Sequence, residues 1–295
     1  MFTGIVLTAL SAAGLVQQTD TIVQASGASR LELESLRGEV VVRTWDRDAV
    51  RVKATESESR SVGITRSGST ISIDVEVDRG MGLTGSTNFE ITVPRAFDLN
   101  IEGMALDVDI EGAGGQVEVT TVQGSVRVQG GRETISVESV FGEVTVEGAE
   151  GKIEVTGVAG GVTIRDCSGE ISAGSVGGDL NLEGISARDV EAGTVGGTLR
   201  FEGAILDGGM YNFGSHGGQI WLHLPAGMNA RVEAITLAGD IEINYPGAPS
   251  EPTQGEGLAM LHQKELSFEV GTGSARIEVE TFGGTVHILR QGGGN

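Results

Sequence analysis

Between Leu99 and Glu202, two apolar residues that flank a single other residue recur about every nine positions. Both members of each pair face the same side of a β-strand, because side chains alternate along an extended chain. A fixed period this short indicates stacked coils rather than an ordinary globular sheet. The pairs are Leu99/Ile101, Val108/Ile110, Val117/Val119, Val126/Val128, Ile135/Val137, Val144/Val146, Ile153/Val155, Val162/Ile164, Ile171/Ala173, Leu180/Leu182, Val190/Ala192 and Leu199/Phe201.

The recurrence resolves into an 18-residue unit with two different corners. One corner has a valine two positions before a glycine, at Val122/Gly124, Val140/Gly142, Val158/Gly160, Val176/Gly178 and Val195/Gly197. The other corner holds Ala113, Gly131, Ala149, Cys167, Ile185 and Ala204. Glycine suits a corner that needs either a positive φ or a close backbone approach.

These patterns predict an all-β fold, a β-solenoid (β-helix-like) with about 18 residues per coil. Two sheets about 10 Å apart would enclose ladders of Val, Ile and Leu. A three-sided helix, in which three of the nine-residue units complete each coil, is the alternative, and the 18-residue alternation of corners argues against it. The handedness of the coil stays open.

Residues 19–95 form a β-strand region without the nine-residue period, and we expect it to cap the open end of the solenoid. The strands predicted there are Arg30–Glu34, Glu39–Thr44, Ala49–Thr55, Val62–Thr65, Thr70–Val77 and Asn88–Val93.

The repeat region extends over residues 96–290, with a loop excursion at 245–264 and a flexible tail at 291–295. Pro246, Pro249 and Pro252 predict that the excursion is a loop rather than a strand. Similar phrases begin at Ala187, Ala230 and Ala275, so the same coil is reused after the excursion.

Composition and charge exclude some classes of partner. The formal net charge is −21, from 20 Lys and Arg against 41 Asp and Glu, so we expect no binding to nucleic acid, which needs clustered basic residues. Residues 1–18 are predicted to be a signal peptide, because their apolar run is too short to span a membrane comfortably. The mature chain is then exported, to the periplasm or the cell surface, without an integral membrane segment.

One outward column is predicted to read Glu118, Ser136, Glu154, Ser172 and Glu191 if the coils stack in register. Acidic residues then fall on alternate coils, roughly 9–10 Å apart instead of about 4.8 Å. This spacing limits the repulsion between like charges, so no bound ligand is needed to explain the acidic column.

The residues that could carry chemistry are scattered. His216, His223, His262 and His287 form no metal-ligand pattern, and His223 and His287 are expected to point outward. Cys167 is expected to be a buried, inert thiol. The Gly-Gly pairs at 177–178, 196–197 and 283–284 lack the glycine and aspartate spacing of calcium-binding β-rolls. We therefore expect no catalytic, metal-binding or cofactor-binding residues and no cofactor.

Three segments carry a resemblance to a known family: Gly38–Val52, Leu224–Ala234 followed by Gly239–Ile243, and Thr281–Ile288. They resemble the bacterial "putative adhesin" family of β-strand repeat proteins of unknown function, which is related to adhesin-head GIN domains. The resemblance implies an exported, solenoid-like protein with an adhesive role, and it transfers no catalytic or binding residues.

The sequence therefore favours a non-enzymatic exported β-solenoid, either an adhesin or a binding or structural module of the cell envelope. Its partner would be an unknown protein or glycan of the cell envelope, and end-to-end self-association is a further prediction. A cell-envelope carbohydrate-active enzyme on a β-helix scaffold is the alternative, because one pair of outward carboxylates could suffice for it. Specific contacts are expected in three irregular parts: Arg79–Ser86, Ala204–Gly218 and Tyr245–Lys264.

Overall fold

A computed structural model describes residues 17–56, 60–77, 85–254 and 263–292. The predicted signal segment up to residue 16 lies outside the described residues, as do most of the Arg79–Ser86 loop, residues 255–262 of the excursion with His262, and the end of the tail. All secondary-structure elements assigned in the described part of the chain are β-strands. No helix in that part is long and apolar enough to cross a membrane. The fold is all-β, as predicted.

The strands are β1 Gln17–Gln24, β2 Arg30–Trp45, β3 Ala49–Glu56, β4 Arg60–Ser67, β5 Thr70–Val77, β6 Thr87–Pro94, β7 Asp98–Glu111, β8 Val117–Gln123, β9 Val126–Gln129, β10 Thr134–Phe141, β11 Val144–Glu147, β12 Glu150–Gly157, β13 Val162–Arg165, β14 Ser168–Ser175, β15 Leu180–Thr194, β16 Leu199–Gly203, β17 Met210–Ser215, β18 Ile220–Leu224, β19 Ala230–Thr236, β20 Asp240–Asn244, β21 Thr253–Gln254, β22 Lys264–Val270, β23 Ala275–Thr281 and β24 Thr285–Arg290. They belong to two compact units, residues 1–133 (unit 1) and 134–295 (unit 2).

Unit 2 is a solenoid of parallel strands in two ladders. Ile135 pairs with Ile153, and Val144 pairs with Val162, so each coil lies one 18-residue unit further along the chain than its neighbour. Each coil gives one strand to the first layer (β10, β12, β14, the second half of β15, β17) and one to the second layer (β11, β13, the first half of β15, β16, β18). The 18-residue coil is confirmed, and the pairing rules out the three-sided helix.

The apolar pairs of the sequence pattern form the core of unit 2. Ile135, Val155, Leu182 and Leu199 are each at most 1% exposed. Burying an aliphatic side chain of this size contributes roughly 1.5–3 kcal/mol before entropy is counted. The stacked inward side chains therefore hold each coil to its neighbours.

The segment from Ala204 to Gly218 is more regular than the sequence indicated. It contains β17, which pairs with β15 on one side and β23 on the other. Tyr211 and Phe213 fill the inward positions there and are 0% and 2% exposed. Residues 204–209 and 216–218 lie outside the strands, as predicted, whereas the prediction was wrong for Met210–Ser215, because this coil uses aromatic residues where its neighbours use Val, Ile or Leu.

At one corner of unit 2, glycine is required because the coils approach closely. A Cβ on Gly178 would overlap the carbonyl oxygen of Gly160, and a Cβ on Gly197 would overlap that of Gly178. Neither Gly178 nor Gly197 has a positive φ. Close backbone approach, and not backbone conformation, is therefore the reason for these glycines.

The last coil of the chain does not stack at the end of the solenoid. β23 lies between β17 and β19, and β24 lies between β18 and β20. The two related phrases stand side by side there, with Ala230 beside Ala275 and Val232 beside Ile277. After β20 the chain passes through the excursion and pairs β22 antiparallel to β19 before it returns to enter the stack.

A hydrogen-bonded cluster fastens this inserted coil. Asn229 Nδ2 donates to Asp207 Oδ1 (3.0 Å) and to Ser274 Oγ (3.0 Å), and Ser274 Oγ donates to Asp207 Oδ1 (2.8 Å). These hydrogen bonds, that of Ser274 first, lower the pKa of Asp207. The cluster joins the segments before β17, β19 and β23, which are neighbours in space but not in sequence.

The excursion is only partly a loop. Residues 253–254 form β21, which pairs antiparallel with Lys264 and Glu265 at the start of β22. Tyr245 is buried, and its hydroxyl donates to the carbonyl of Pro225 at 2.8 Å. The described part of the excursion thus packs against the last coils.

Unit 1 contains the strands that the sequence predicted between residues 19 and 95, and several of them pair antiparallel. β2 and β7 each run through both layers and pair in parallel with one another. β4 lies antiparallel on β5 in one layer, and β1 and β3 continue antiparallel from β6 in the other. The predicted strands exist, but the first two are the continuous β2, and β1 was not predicted.

The corner glycines give a prediction with a matched pair. Gly178→Ala must displace the backbone of the neighbouring coil, so we expect destabilisation on the order of 1–3 kcal/mol. Gly174→Ala places its Cβ in open space, without a positive φ, and should be neutral or slightly stabilising. Urea unfolding of both variants measures the difference, and equal effects would contradict the close-approach explanation.

The insertion of the last coil gives a second prediction. In a solenoid stacked in chain order, loss of the last coil removes one interface. A chain that ends at Gly273 lacks β23 and β24, so β19, β20 and β22 lose their connection to the stack. We expect their amides to exchange with deuterium rapidly while those of β10–β16 stay protected. Persistent protection of β19 would contradict this topology.

Candidate functional site

A groove of about 770 Å³ crosses the outer face of the first layer of unit 2. It is lined by residues of β10, β12, β14, β15, β17 and β23. Because the strands are in register, each outward position forms a column that runs across the strands. Two such columns line the groove, and a third lies next to them at a corner of the coils.

The first column is the carboxylate rim, which consists of Ser136, Glu154, Ser172, Glu191, Asn212 and Glu278. The alternation of glutamate and serine from Ser136 to Glu191 is the one that the sequence predicted. Lys152 Nζ lies 2.6 Å from Glu154 Oε1, and this hydrogen bond raises the pKa of Lys152. Arg276 pairs with Glu278. Within the described ranges, no basic side chain pairs with Glu191.

The second column contains the floor, which we define as Gly174, Gly193 and Gly214. Glu138 and Thr156 precede these glycines in the column, and Glu280 follows them. None of the three has a positive φ, and a Cβ at any of them would meet no atom closer than 3.8 Å. Neither packing nor backbone conformation therefore requires glycine here. Glycine in a strand interior often marks a place where another molecule approaches the backbone.

The third column is the apolar rim, formed by Val158, Val176, Val195 and Phe282 with His216 in the row. The amide after each member donates to the carbonyl of the member on the preceding coil, as from Gly196 to Val176 at 2.8 Å. Val176, Val195 and Phe282 are 48%, 50% and 45% exposed. The rings of His216 and Phe282 stack with centroids 5.0 Å apart. The carboxylate rim thus lines one side of the groove, whereas the apolar rim lies beyond the floor, outside the residues that line the groove.

Side chains beneath the apolar rim hold its corner in place. Ser175 Oγ donates to the carbonyl of Gly178 at 2.8 Å, and the Gly197 amide donates to Thr194 Oγ1 at 3.2 Å. Each hydroxyl points inward, next to an outward rim residue. The geometry of the rim is therefore set by the same corners that require glycine.

Trp221 and His287 lie on the outer face of the other layer. Trp221 stacks on His287 with ring centroids 3.7 Å apart, and Arg200 lies 5.8 Å from the Trp221 centroid. His287 Nδ1 is 3.0 Å from Glu242 Oε2. His287 occupies an outward position, as predicted, but Trp221 and its other neighbours cover it to 8% exposure. No Trp or Tyr is among the described residues that line the groove.

Cys167 is a packing residue, as the sequence predicted. It is 1% exposed, and burial raises the pKa of its thiol. The thiol donates to the carbonyl of Arg165 at 3.1 Å, and Sγ accepts from the Ala149 amide at 3.4 Å. Among the described residues there is also no group of three or more His, Cys, Asp and Glu side chains placed to hold a metal ion.

Among the described residues of unit 1, one carboxyl group is buried. Glu56, at the end of β3, is 1% exposed, and burial raises the pKa of its carboxyl. Thr19 Oγ1 on β1 donates to Glu56 Oε1 at 3.1 Å, whereas Oε2 has no partner among the described atoms. Glu56 therefore connects β1 to β3 but is costly to ionise.

The sequence predicts specific contacts in the irregular segments, which stays a prediction, and the groove lies on the regular coils. The missed signal was a glycine two residues after an outward polar residue, at Ser172/Gly174, Glu191/Gly193 and Asn212/Gly214. In the pattern alone these glycines resemble the corner glycines. Only the register shows that they face outward, side by side.

Comparison with known proteins identifies the family. The family model Toastrack DUF4097 matches residues 28–289, so the chain belongs to this family of β-solenoid-like proteins. A crystal structure described as that of a "putative cell adhesion protein" from Clostridium sporogenes is similar, at 12% identity and a TM-score of 0.27, over 94% of this chain and 100% of that chain. No curated protein matches the chain.

The buried carboxyl of unit 1 makes stability depend on pH. Because the pKa of Glu56 is raised in the folded state, its favourable contribution is complete below the unfolded value of about 4.5 and is lost as pH rises through the folded value. Glu56→Gln should therefore raise the melting temperature by a few degrees at pH 7, and the gain should shrink towards pH 4. Melting curves across this range test the prediction, with Glu90→Gln on the exposed face as the control. A gain independent of pH would contradict it.

Proposed function

We propose that the protein is an exported, non-enzymatic binding module of the cell envelope, and that it holds part of a partner molecule in the groove of unit 2. The observation that carries this proposal is the floor of Gly174, Gly193 and Gly214. Glycine in a strand costs roughly 0.5–1 kcal/mol relative to alanine. Three adjacent glycines that nothing in the fold requires are accounted for if a partner must approach the backbone.

The two rims support binding over catalysis. Polar residues and exposed apolar residues together are typical of a recognition surface. The aromatic residues that would form a platform for a sugar ring lie elsewhere in unit 2, as Trp221 and the buried Tyr211 show.

Export and adhesion are part of the proposal. Export is supported by the apolar segment Met1–Val16, and an adhesive role by the sequence phrases that resemble the "putative adhesin" family. An acidic surface suits a protein that must stay soluble and avoid nucleic acid.

A carbohydrate-active enzyme is the second candidate, because five carboxylates line the groove: Glu138, Glu154, Glu191, Glu278 and Glu280. Two carboxyl groups about 5–10 Å apart are sufficient for glycoside hydrolysis. Release of reducing sugar from a cell-wall polymer, and its loss in Glu191→Gln, would favour the enzyme over the binding module.

A glycan- and protein-array screen of the mature chain tests the binding module. We expect at least one ligand whose binding is lost in Gly193→Gln, since the longer side chain fills the floor while its Cβ has room. Thr163→Gln adds a side chain of the same size to the outer face of the other layer and should leave binding unchanged. Equal loss in both variants, or an array without any ligand, would contradict the proposal.

A further inference from the structure

Strand β1 is held on unit 1 mainly by its pairing with β3. All eight of its residues pair in register with β3, which is its strand partner within the described ranges. The side chains from Gln18 to Gln24 are exposed or half-buried, whereas Val50, Val52 and Ala54 of β3 are fully buried. Elements with few buried side chains open at a low cost in free energy. Opening of β1 would therefore leave the core of unit 1 in place.

The end of β1 is anchored. Arg66 Nη1 on β4 donates to the carbonyl of Gln24 at 3.1 Å. Ala25, which follows β1, is 0% exposed, and its amide donates to the carbonyl of Asp48 at 3.1 Å. These contacts fix the point at which an opening of β1 from its start would stop.

The start of β1 depends on Glu56. Thr19 Oγ1 donates to Glu56 Oε1 at 3.1 Å, and Glu56 is 1% exposed. On the other side of β3, Thr87 lies directly opposite Glu56, and neither Thr87 Oγ1 nor Glu56 Oε2 has a partner in the described structure. An ionised carboxyl group in such a place is costly. Asp20 pairs with Arg51 nearby, at 2.7 Å, but this pair is open to solvent and contributes little.

The interior around Glu56 is uncharged. The other ionisable side chains of β1, β3 and β6 lie on the outer face: Asp20, Arg51, Lys53 and Glu90. Burial raises the pKa of Glu56, and the hydrogen bonds from Thr19 and from the backbone amide of Val62 on β4 oppose this shift only in part. Arg66, the described basic side chain of β4, lies at the anchored end of β1.

We propose that Glu56 is a pH-sensitive fastening for β1: the protonated carboxyl group holds the first half of the strand on β3, and ionisation releases this half as far as the anchored end. An ionised Glu56 gains hydration when Thr19 no longer covers it. Release uncovers residues 53–56 of β3, and an unpaired strand edge can accept a strand from another molecule. This inference concerns unit 1 alone and does not depend on the groove.

Hydrogen–deuterium exchange of the full chain from pH 5 to pH 8, corrected for the intrinsic effect of pH, tests the proposal. Because the pKa of Glu56 is raised, its favourable contribution is lost as pH rises through the folded value. We expect the protection of residues 17–21 to fall at least about fivefold over this range, or by about 1 kcal/mol of opening free energy. The protection of β7 should stay unchanged.

Variants assign the effect to Glu56. Glu56→Gln keeps the size of the side chain and an acceptor for Thr19 but cannot ionise, so its β1 should be as protected at pH 8 as at pH 5. Glu90→Gln removes a carboxyl group from the outer face and should behave like the unchanged chain. Thr19→Val removes the hydrogen bond to Glu56 and should lower the protection of β1 at pH 5 already. This variant also covers the case in which Glu56→Gln fails to fold.

Protection of β1 that does not change with pH, or the same pH dependence in Glu56→Gln, would overturn the proposal. Unchanged protection in Thr19→Val would do so as well. An equal loss of protection in β1 and β7 would also contradict it, because unit 1 would then open as a whole.

Discussion

The structure of unit 2 depends on how closely one coil approaches the next. At the corner occupied by Gly160, Gly178 and Gly197, the carbonyl oxygen of one coil takes the place where a Cβ of the following coil would lie. This approach keeps the parallel strands in register, with partners one 18-residue unit apart along the chain in the first coils. Because the register is fixed, equivalent positions of successive coils lie directly beside one another. The buried ladders and the outer columns are consequences of that repetition.

The end of unit 2 shows how such a stack can be closed. A solenoid that grows in chain order leaves an open strand at its end, which invites pairing with other molecules. Here β22 turns back antiparallel on β19, and the last coil enters between β17 and β19. The cluster of Asp207, Asn229 and Ser274 then joins three coils that are distant in sequence. The C-terminal coil is thus an interior part of the stack.

Much of this fold could be predicted from the sequence because aliphatic periodicity is a local signal. The pairs from Ile135 to Leu182 specify both the coil length and the inward face. The order of the last coils could not be predicted. The similar segments that begin at Ala230 and Ala275 indicate that β19 and β23 are neighbours, but not that β23 lies between β17 and β19. The inward positions of Tyr211 and Phe213 were not predicted because aromatic residues replace aliphatic ones in this coil. The groove could not be predicted because the sequence does not distinguish a glycine at an outward strand position from a glycine at a corner.

Two devices limit the repulsion between like charges along the carboxylate rim: uncharged spacers and paired cations. From Ser136 to Glu191, a serine separates each glutamate from the next, which keeps like charges two strands apart. Further along the column this spacing ends, and Glu278 stands directly beside Glu233. Arg276 pairs with Glu278 and lies 3.5 Å from Glu233, so a cation replaces the missing spacer. Towards the other end, Lys152 pairs with Glu154, which Ser136 and Ser172 also separate from the next carboxylates. Glu191, beside the central floor glycine Gly193, is flanked in the column by Ser172 and Asn212 and relies on this spacing alone, since no cation pairs with it in the described structure.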